Sequence, residues 1–270
     1  MVFKVSDIDD SQAPLLDHLI ELRARLVRAF LALGVAFAVC LFFARPILGF
    51  LVQPLVEAGQ GRLVFTKLYG QFFVELKVAL FAGFFLSFPV IANQIWAFVA
   101  PGLYAREKKA FLPFLIATPV LFSAGGAMAY YVVMPTAFRW FLGFQGTTEG
   151  GLKIEAMPSS EDYLGLVMQF ILAFGFCFLL PVLLLLLNRA GIVSRAQLSA
   201  ARRYVIVGIT VIAAVITPPD VVSQLLLLVP MVLLFEGSLL IMRLGERRKG
   251  SSAPEGGVAA SDSTADGNEA

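Results

Sequence analysis

The chain has 270 residues, of which 59% are hydrophobic and only 15% charged, with a mean hydropathy of +0.83 and a formal net charge of +2. That is far more apolar than a soluble domain of average composition and describes an integral membrane protein. A single histidine, His18, and two cysteines inside apolar runs, Cys40 and Cys177, exclude a metal centre of clustered imidazoles and a disulfide framework.

The N-terminus carries Asp7, Asp9 and Asp10 ahead of the first apolar run, with no small-residue cleavage site after it, so that span is expected to be retained. The stretch "PLLDHLIELRARLVRAF", residues 14–30, sets Leu15, Leu19, Leu22 and Leu26 at helical spacing. It predicts an amphipathic helix beginning on the membrane surface, with Asp17, Glu21, Arg25 and Arg28 on the opposite face. Glu21 and Arg25 are four residues apart and can pair, which contributes about 0.2–0.5 kcal/mol.

Six apolar runs follow, near 27–44, 74–99, 111–133, 163–187, 203–217 and 221–242. Stretches of about 18 uncharged residues cross a bilayer as helix, and most of these runs suffice. The fifth does not: Arg203–Thr217 holds 15 residues, about 22 Å of helix against a hydrocarbon core of about 30 Å. It reads as one arm of a hairpin turning at "TPPD", 217–220, below the far surface. Pro89, Pro113, Pro119, Pro181 and Pro230 interrupt the spans and can kink them. Gly125 and Ala129 form a small-xxx-small pair suited to close helix contact.

Fifteen of the 21 lysines and arginines fall in the N-terminal segment, the second and fourth loops and the C-terminal flank. Five fall in the first and third loops, and Lys77 sits at the mouth of the second span. The positive-inside bias then places both termini and the even loops in the cytoplasm. Residues 134–162 read as a long outer loop with Trp140 at interface depth, and the tail from 246 as disordered. The organisation expected is a cytoplasmic segment 1–26, a helical membrane domain 27–245 and the tail 246–270.

No phosphate-binding loop, nucleophile elbow or paired intramembrane aspartates are present, so an enzyme is not expected. The polar groups at membrane depth or at its edge are Glu75, Lys77, Gln169, Asp220 and Glu236. Asp220, after two prolines, suits the N-cap of the last helix. Glu75 and Lys77 sit at a helix entry open to water, and Glu236 can pair with a cation near Arg243. In the basic second loop, "FVAPGLYAREKKAF", Glu107 is wedged between Arg106 and Lys108. It is either a local counter-ion or a site for a charge arriving from outside.

The segments "HLIELRARL" (18–26), "WAFVAPGLYAREKKAF" (96–111), "RRYVIVG" (202–208), "TPPDVVSQ" (217–224) and "LFEGSLLIMR" (234–243) resemble the TatC subunit of the twin-arginine protein translocase, in order, spacing and topology over about residues 14–245. The resemblance implies an all-α, glove-shaped bundle of six transmembrane helices in the bacterial cytoplasmic membrane, with short fifth and sixth helices. It implies a receptor for twin-arginine signal peptides that scaffolds export of folded proteins on the proton-motive force. Its partners would be those peptides, small single-span subunits, lipid and further copies of itself, with no cofactor, metal or nucleic acid. Glu21 and Glu107 match the family's recognition carboxylates and Phe98 and Leu103 its apolar loop positions, with His18 and Arg23 alongside. A guanidinium can fork onto either carboxylate, which a lysine ammonium cannot reproduce. Gln169, Val205, Ile209 and Thr217 are the implied partner contacts. Pro54, Pro101, Asp220 and Glu236 are motif positions. Where the family often has glutamate or glutamine, this chain has Leu179, which Gln169 could replace at another depth. The competing reading is a secondary transporter of small solutes, disfavoured by the absence of repeat symmetry and midplane ion pairs.

Overall fold

The computed structural model describes residues 13–103, 108–217 and 220–250. Helix α1 (Ala13–Phe42) is followed by α2 (Ala44–Glu57), α3 (Gly70–Leu103) and α4 (Lys108–Met128). A π-helical turn, Ala129–Val133, leads into α5 (Met134–Leu142), and a two-stranded ribbon pairs Gly146–Thr147 with Lys153–Ile154. The remaining helices are α6 (Ser160–Cys177), α7 (Leu180–Arg189), α8 (Arg195–Ala200), α9 (Arg202–Ile216) and α10 (Val221–Gly250). Five helical stretches are long and apolar enough to cross a membrane: His18–Phe42, Gly70–Phe98, Pro113–Leu142, Ser160–Arg189 and Val221–Leu244. The sixth, α9, has 15 residues and falls short, as its length in the sequence implied.

Three expectations change. The amphipathic segment and the first span form one continuous helix, α1, rather than a surface helix followed by a span. The third span does not end at 133, and Trp140 lies in helix rather than loop. Pro135 looks like a breaker, but it stands in the first turn of α5, where a missing N–H costs nothing. The π turn, closed by Met134 N–H donating to the Ala129 carbonyl, feeds directly into that turn. The last helix is not short: α10 has 30 residues. Its apolar run stops near Arg243, yet Arg, Glu and Lys are good helix formers, so the helix outlasts the hydrophobicity. The tail beyond 250 lies outside the described residues.

The core gathers around α6, whose Phe170 and Phe174 are fully enclosed together with Phe122 of α4 and Phe235 of α10. Two glycine contacts set the closest approaches. A Cβ on Gly125 would collide with the Phe174 carbonyl of α6, which the small-residue pair anticipated. A Cβ on Gly83 of α3 would lie 2.8 Å from the Phe37 backbone of α1. That second contact makes a tight seam between α1 and α3, closed by Ala36, Cys40 and Ala79.

Proline geometry also decides a tertiary bond. Pro54 is buried inside α2 and has no N–H for the Phe50 carbonyl one turn back. Tyr130 supplies the missing donor, its hydroxyl reaching the Phe50 oxygen at 2.6 Å, and the two rings stack at 4.3 Å. Tyr163 of α6 donates to the neighbouring Leu51 carbonyl at 2.9 Å. Helix α2 is thus held at adjacent carbonyls by hydroxyls from two elements, the π turn and α6.

Candidate functional site

The seam between α1 and α3 fixes the orientation of the whole N-terminal helix. Steps of three and four residues carry its inward stripe from Cys40 and Ala36 back through Ala29 and Arg25 to Glu21. Glu21 and Arg25 are therefore half-buried against the protein, while Leu19, Leu22 and Leu26 face outward. Of the polar residues on this helix, Glu21 and Arg25 turn toward the protein, whereas Arg23 and Arg28 stay exposed. His18, one turn before Glu21, stacks on Phe98 of α3 with ring centroids 4.3 Å apart and planes 19° apart. The stack brings the start of α1 against the far end of α3.

Arg25 donates to Glu21 through Nε at 2.9 Å, and its terminal nitrogen reaches the same oxygen, Oε1. The local pair read from the sequence is present. Both bonds fall on one oxygen, and the Glu21 side chain keeps 38% of its exposure. Oε2 accepts no hydrogen bond among the described residues. Arg23 points away from this face and is exposed. Leu103 is the last residue of α3, with Pro101 in the same final turn. Glu107 lies outside the described residues, immediately before α4.

Around α9 and α10, and at the start of α3, the sequence expectations separate. Asp220 caps α10, its Oδ2 accepting from the Ser223 N–H at 2.6 Å. Glu236 pairs with Arg202 at 3.1 Å, so its partner is the cation opening α9 rather than Arg243. Glu75 is 3.6 Å from Arg45, and Lys77 meets Glu161 at 2.8 Å, so both are held by ion pairs at the water-accessible end of α3. Val205 is partly buried against the core. Ile209 and Thr217 turn inward: Ile209 retains 2% of its exposure, and Thr217 donates its hydroxyl to the Ala213 carbonyl. They cannot form an outward contact surface. The exposed face of α9 instead carries Tyr204, Val207, Val211 and Val215. The alternation of small and β-branched apolar residues gave no signal for choosing between the two faces.

Gln169 also has a different employment. Its amide donates to the Ile216 carbonyl at 2.5 Å, closing the last turn of α9. Leu179 lies at the break between α6 and α7 and packs with Phe88, Ala92 and Phe122. Ten residues of near-continuous helix, about 15 Å, separate the two, so Gln169 does not stand in for a polar group at 179. Tyr130 and Trp96 were not singled out in the sequence. Trp96 donates to the Thr118 hydroxyl at 2.7 Å, tying α3 to α4 just below Phe98.

Residues 17–230 match the family model described as Sec-independent protein translocase protein (TatC). The chain belongs to the TatC family. The Sec-independent protein translocase protein TatC of Magnetococcus marinus is 46% identical over 242 residues, covering 89% of this chain and 88% of that protein. The TatC of Haemophilus influenzae is 39% identical, covering 92% and 96%. A crystal structure of the twin-arginine translocase receptor TatC superposes with a TM-score of 0.73 at 35% identity, covering 85% of this chain and 100% of that one. A second crystal structure of that receptor, in DDM, gives the same TM-score at 34% identity. The TatC fold therefore holds here.

Proposed function

We propose that this TatC-family chain is the receptor subunit of a twin-arginine translocase, taking signal peptides at the face formed by the start of α1 and the end of α3. One observation carries the reading: Glu21 is oriented by the α1–α3 seam beside the His18–Phe98 stack, with one carboxylate oxygen unpaired among the described residues. A planar guanidinium suits that oxygen, and the neighbouring rings and exposed leucines suit the apolar part of a signal peptide. Glu107, which lies outside the described residues, is the second acid of the pair. Both termini and this face are cytoplasmic, the membrane is the bacterial cytoplasmic one, and transport of folded cargo draws on the proton-motive force. Small single-span Tat subunits cover the outward face of α9, and further copies of the chain join the assembly. The family membership favours this over a transporter of small solutes.

The test is a twin-arginine peptide titrated onto detergent-solubilised protein. Losing one charge-assisted hydrogen bond, about 1.5–3 kcal/mol, weakens affinity about tenfold to a hundredfold. Glu21→Ala and Glu107→Ala are each expected to fall in that range with folding intact, and Glu107→Lys to be worse because it repels the incoming guanidinium. Unchanged affinity in Glu107→Lys sinks the receptor role of that residue.

A further inference from the structure

Between α1–α2, α3 and α4 runs a slot of about 600 Å³ lined by Ile47, Phe81, Phe85, Leu86 and Ile171. Its α4 wall is kept low by Ser123 and Ala127, small, exposed and four residues apart. The slot is open at the side, between helices that include the candidate spans His18–Phe42, Gly70–Phe98 and Pro113–Leu142. At the Glu57 end of α2 it adjoins a second cavity of about 200 Å³, lined by Gln53, Pro54, Glu57 and Pro135. Phe50, Tyr130 and Tyr131 line both, so an apolar channel opens into a polar mouth. That mouth exists because Pro54 and Tyr130 hold the last turn of α2 against the π turn.

We propose that this compound cavity holds one phospholipid with a primary-amine headgroup, its acyl chain in the slot and its ammonium on Glu57. Charge decides the headgroup. Among the described residues no lysine or arginine lines either cavity, so none of them compensates a net negative lipid. Glu57 is exposed and its one partner among the described residues is the neutral Gln53 amide at 3.3 Å. A primary ammonium offers that carboxylate charge-assisted N–H bonds, which a quaternary ammonium lacks. The phosphate then meets neutral donors, the Gln53 amide and the Tyr131 hydroxyl. Shape decides against a partner helix. The α3 wall runs from Phe81 to Pro89, about 12 Å, whereas a helix is about 10 Å across and needs a longer bed. An acyl chain can enter a slot of that reach over part of its length, its remaining methylenes staying outside it.

The experiment uses the full chain, delipidated in detergent and given phosphatidylethanolamine, phosphatidylcholine or phosphatidylglycerol, with bound lipid counted by native mass spectrometry. One phosphatidylethanolamine per chain is expected to remain, with the other two retained roughly tenfold less well, the scale of one charge-assisted bond. Glu57→Gln should bring phosphatidylethanolamine down to the phosphatidylcholine level. Ala127→Trp, which fills the slot, should abolish retention while the melting temperature holds; if that variant does not fold, Ser123→Leu is read in its place. Equal retention of all three lipids overturns the proposal, as does full retention in the slot-filled variant, which would mark the lipid as annular. So does displacement of the lipid by a lysine-bearing single-span peptide at stoichiometric concentration.

Discussion

His18 and Phe98 lie in different helices, and their rings stack at 4.3 Å with planes 19° apart. The contact joins the first turns of α1 to the last turns of α3, so it holds Glu21 in place rather than touching a ligand by necessity. An aromatic pair contributes about 0.5–1.5 kcal/mol beyond area burial. His18→Ala is therefore expected to weaken twin-arginine peptide binding by roughly threefold to tenfold. Phe98→Ala should do the same or more. The double variant should be little worse than the worse single one, since each change removes the same contact. Strictly additive losses, read by calorimetric titration, would show that the two rings act separately.

The bond between Tyr130 and the Phe50 carbonyl exists because Pro54 has no N–H to give. Tyr130→Phe leaves a partly buried carbonyl without its donor and is expected to cost about 0.5–1.5 kcal/mol in unfolding free energy. Pro54→Ala restores a backbone donor at position 54. The cost of Tyr130→Phe should therefore shrink to under half when measured in the Pro54→Ala background. Equal costs in both backgrounds, by thermal or denaturant melts in the same detergent, would refute the exchange of donors.

Gly125 and Gly237 are both helical and differ in what a methyl group would meet. At Gly125 the methyl would run into the Phe174 backbone, which cannot yield as a side chain can. Gly125→Ala is expected to destabilise by about 1–3 kcal/mol. Gly237 has nothing within 4 Å, so Gly237→Ala should be neutral or stabilise by up to about 1 kcal/mol. Comparable melting temperatures for the two variants would mean that α4 and α6 are not in close contact.

On α9, Val215 keeps 78% of its exposure and Ile209 keeps 2%. Cysteines at Val207, Val211 and Val215 are expected to cross-link to a small single-span Tat subunit in membranes. A cysteine at Ile209 should stay unmodified there. Stronger cross-linking from Ile209 than from Val211 would mean that α9 is rotated in the assembly, or that the partner docks elsewhere.

Much of this protein is determined one-dimensionally. Span length and apolarity placed the helices of the bundle, because a backbone in hydrocarbon must satisfy its hydrogen bonds within the helix. The 15 residues of α9 announced a short arm, and two prolines before Asp220 announced the cap that its carboxylate forms. The motif segments around Glu21 and Phe98 were enough to indicate the TatC family. Which way a helix faces was decided elsewhere. On a helix apolar all round, periodicity carries no direction, so Ile209 and Val211 look alike until the tertiary packing of α9 buries one of them. Gln169 could bond to a partner or to its own chain, and only the approach of α9 put the Ile216 carbonyl within its reach. Pro135 reads as an end of helix, but a π turn shifts it into a first turn where it is harmless. The orientation of Glu21 likewise follows from Gly83, a residue with no chemistry of its own, because the absence of its Cβ lets α1 lie close enough to α3 for the stripe from Cys40 to Glu21 to face inward.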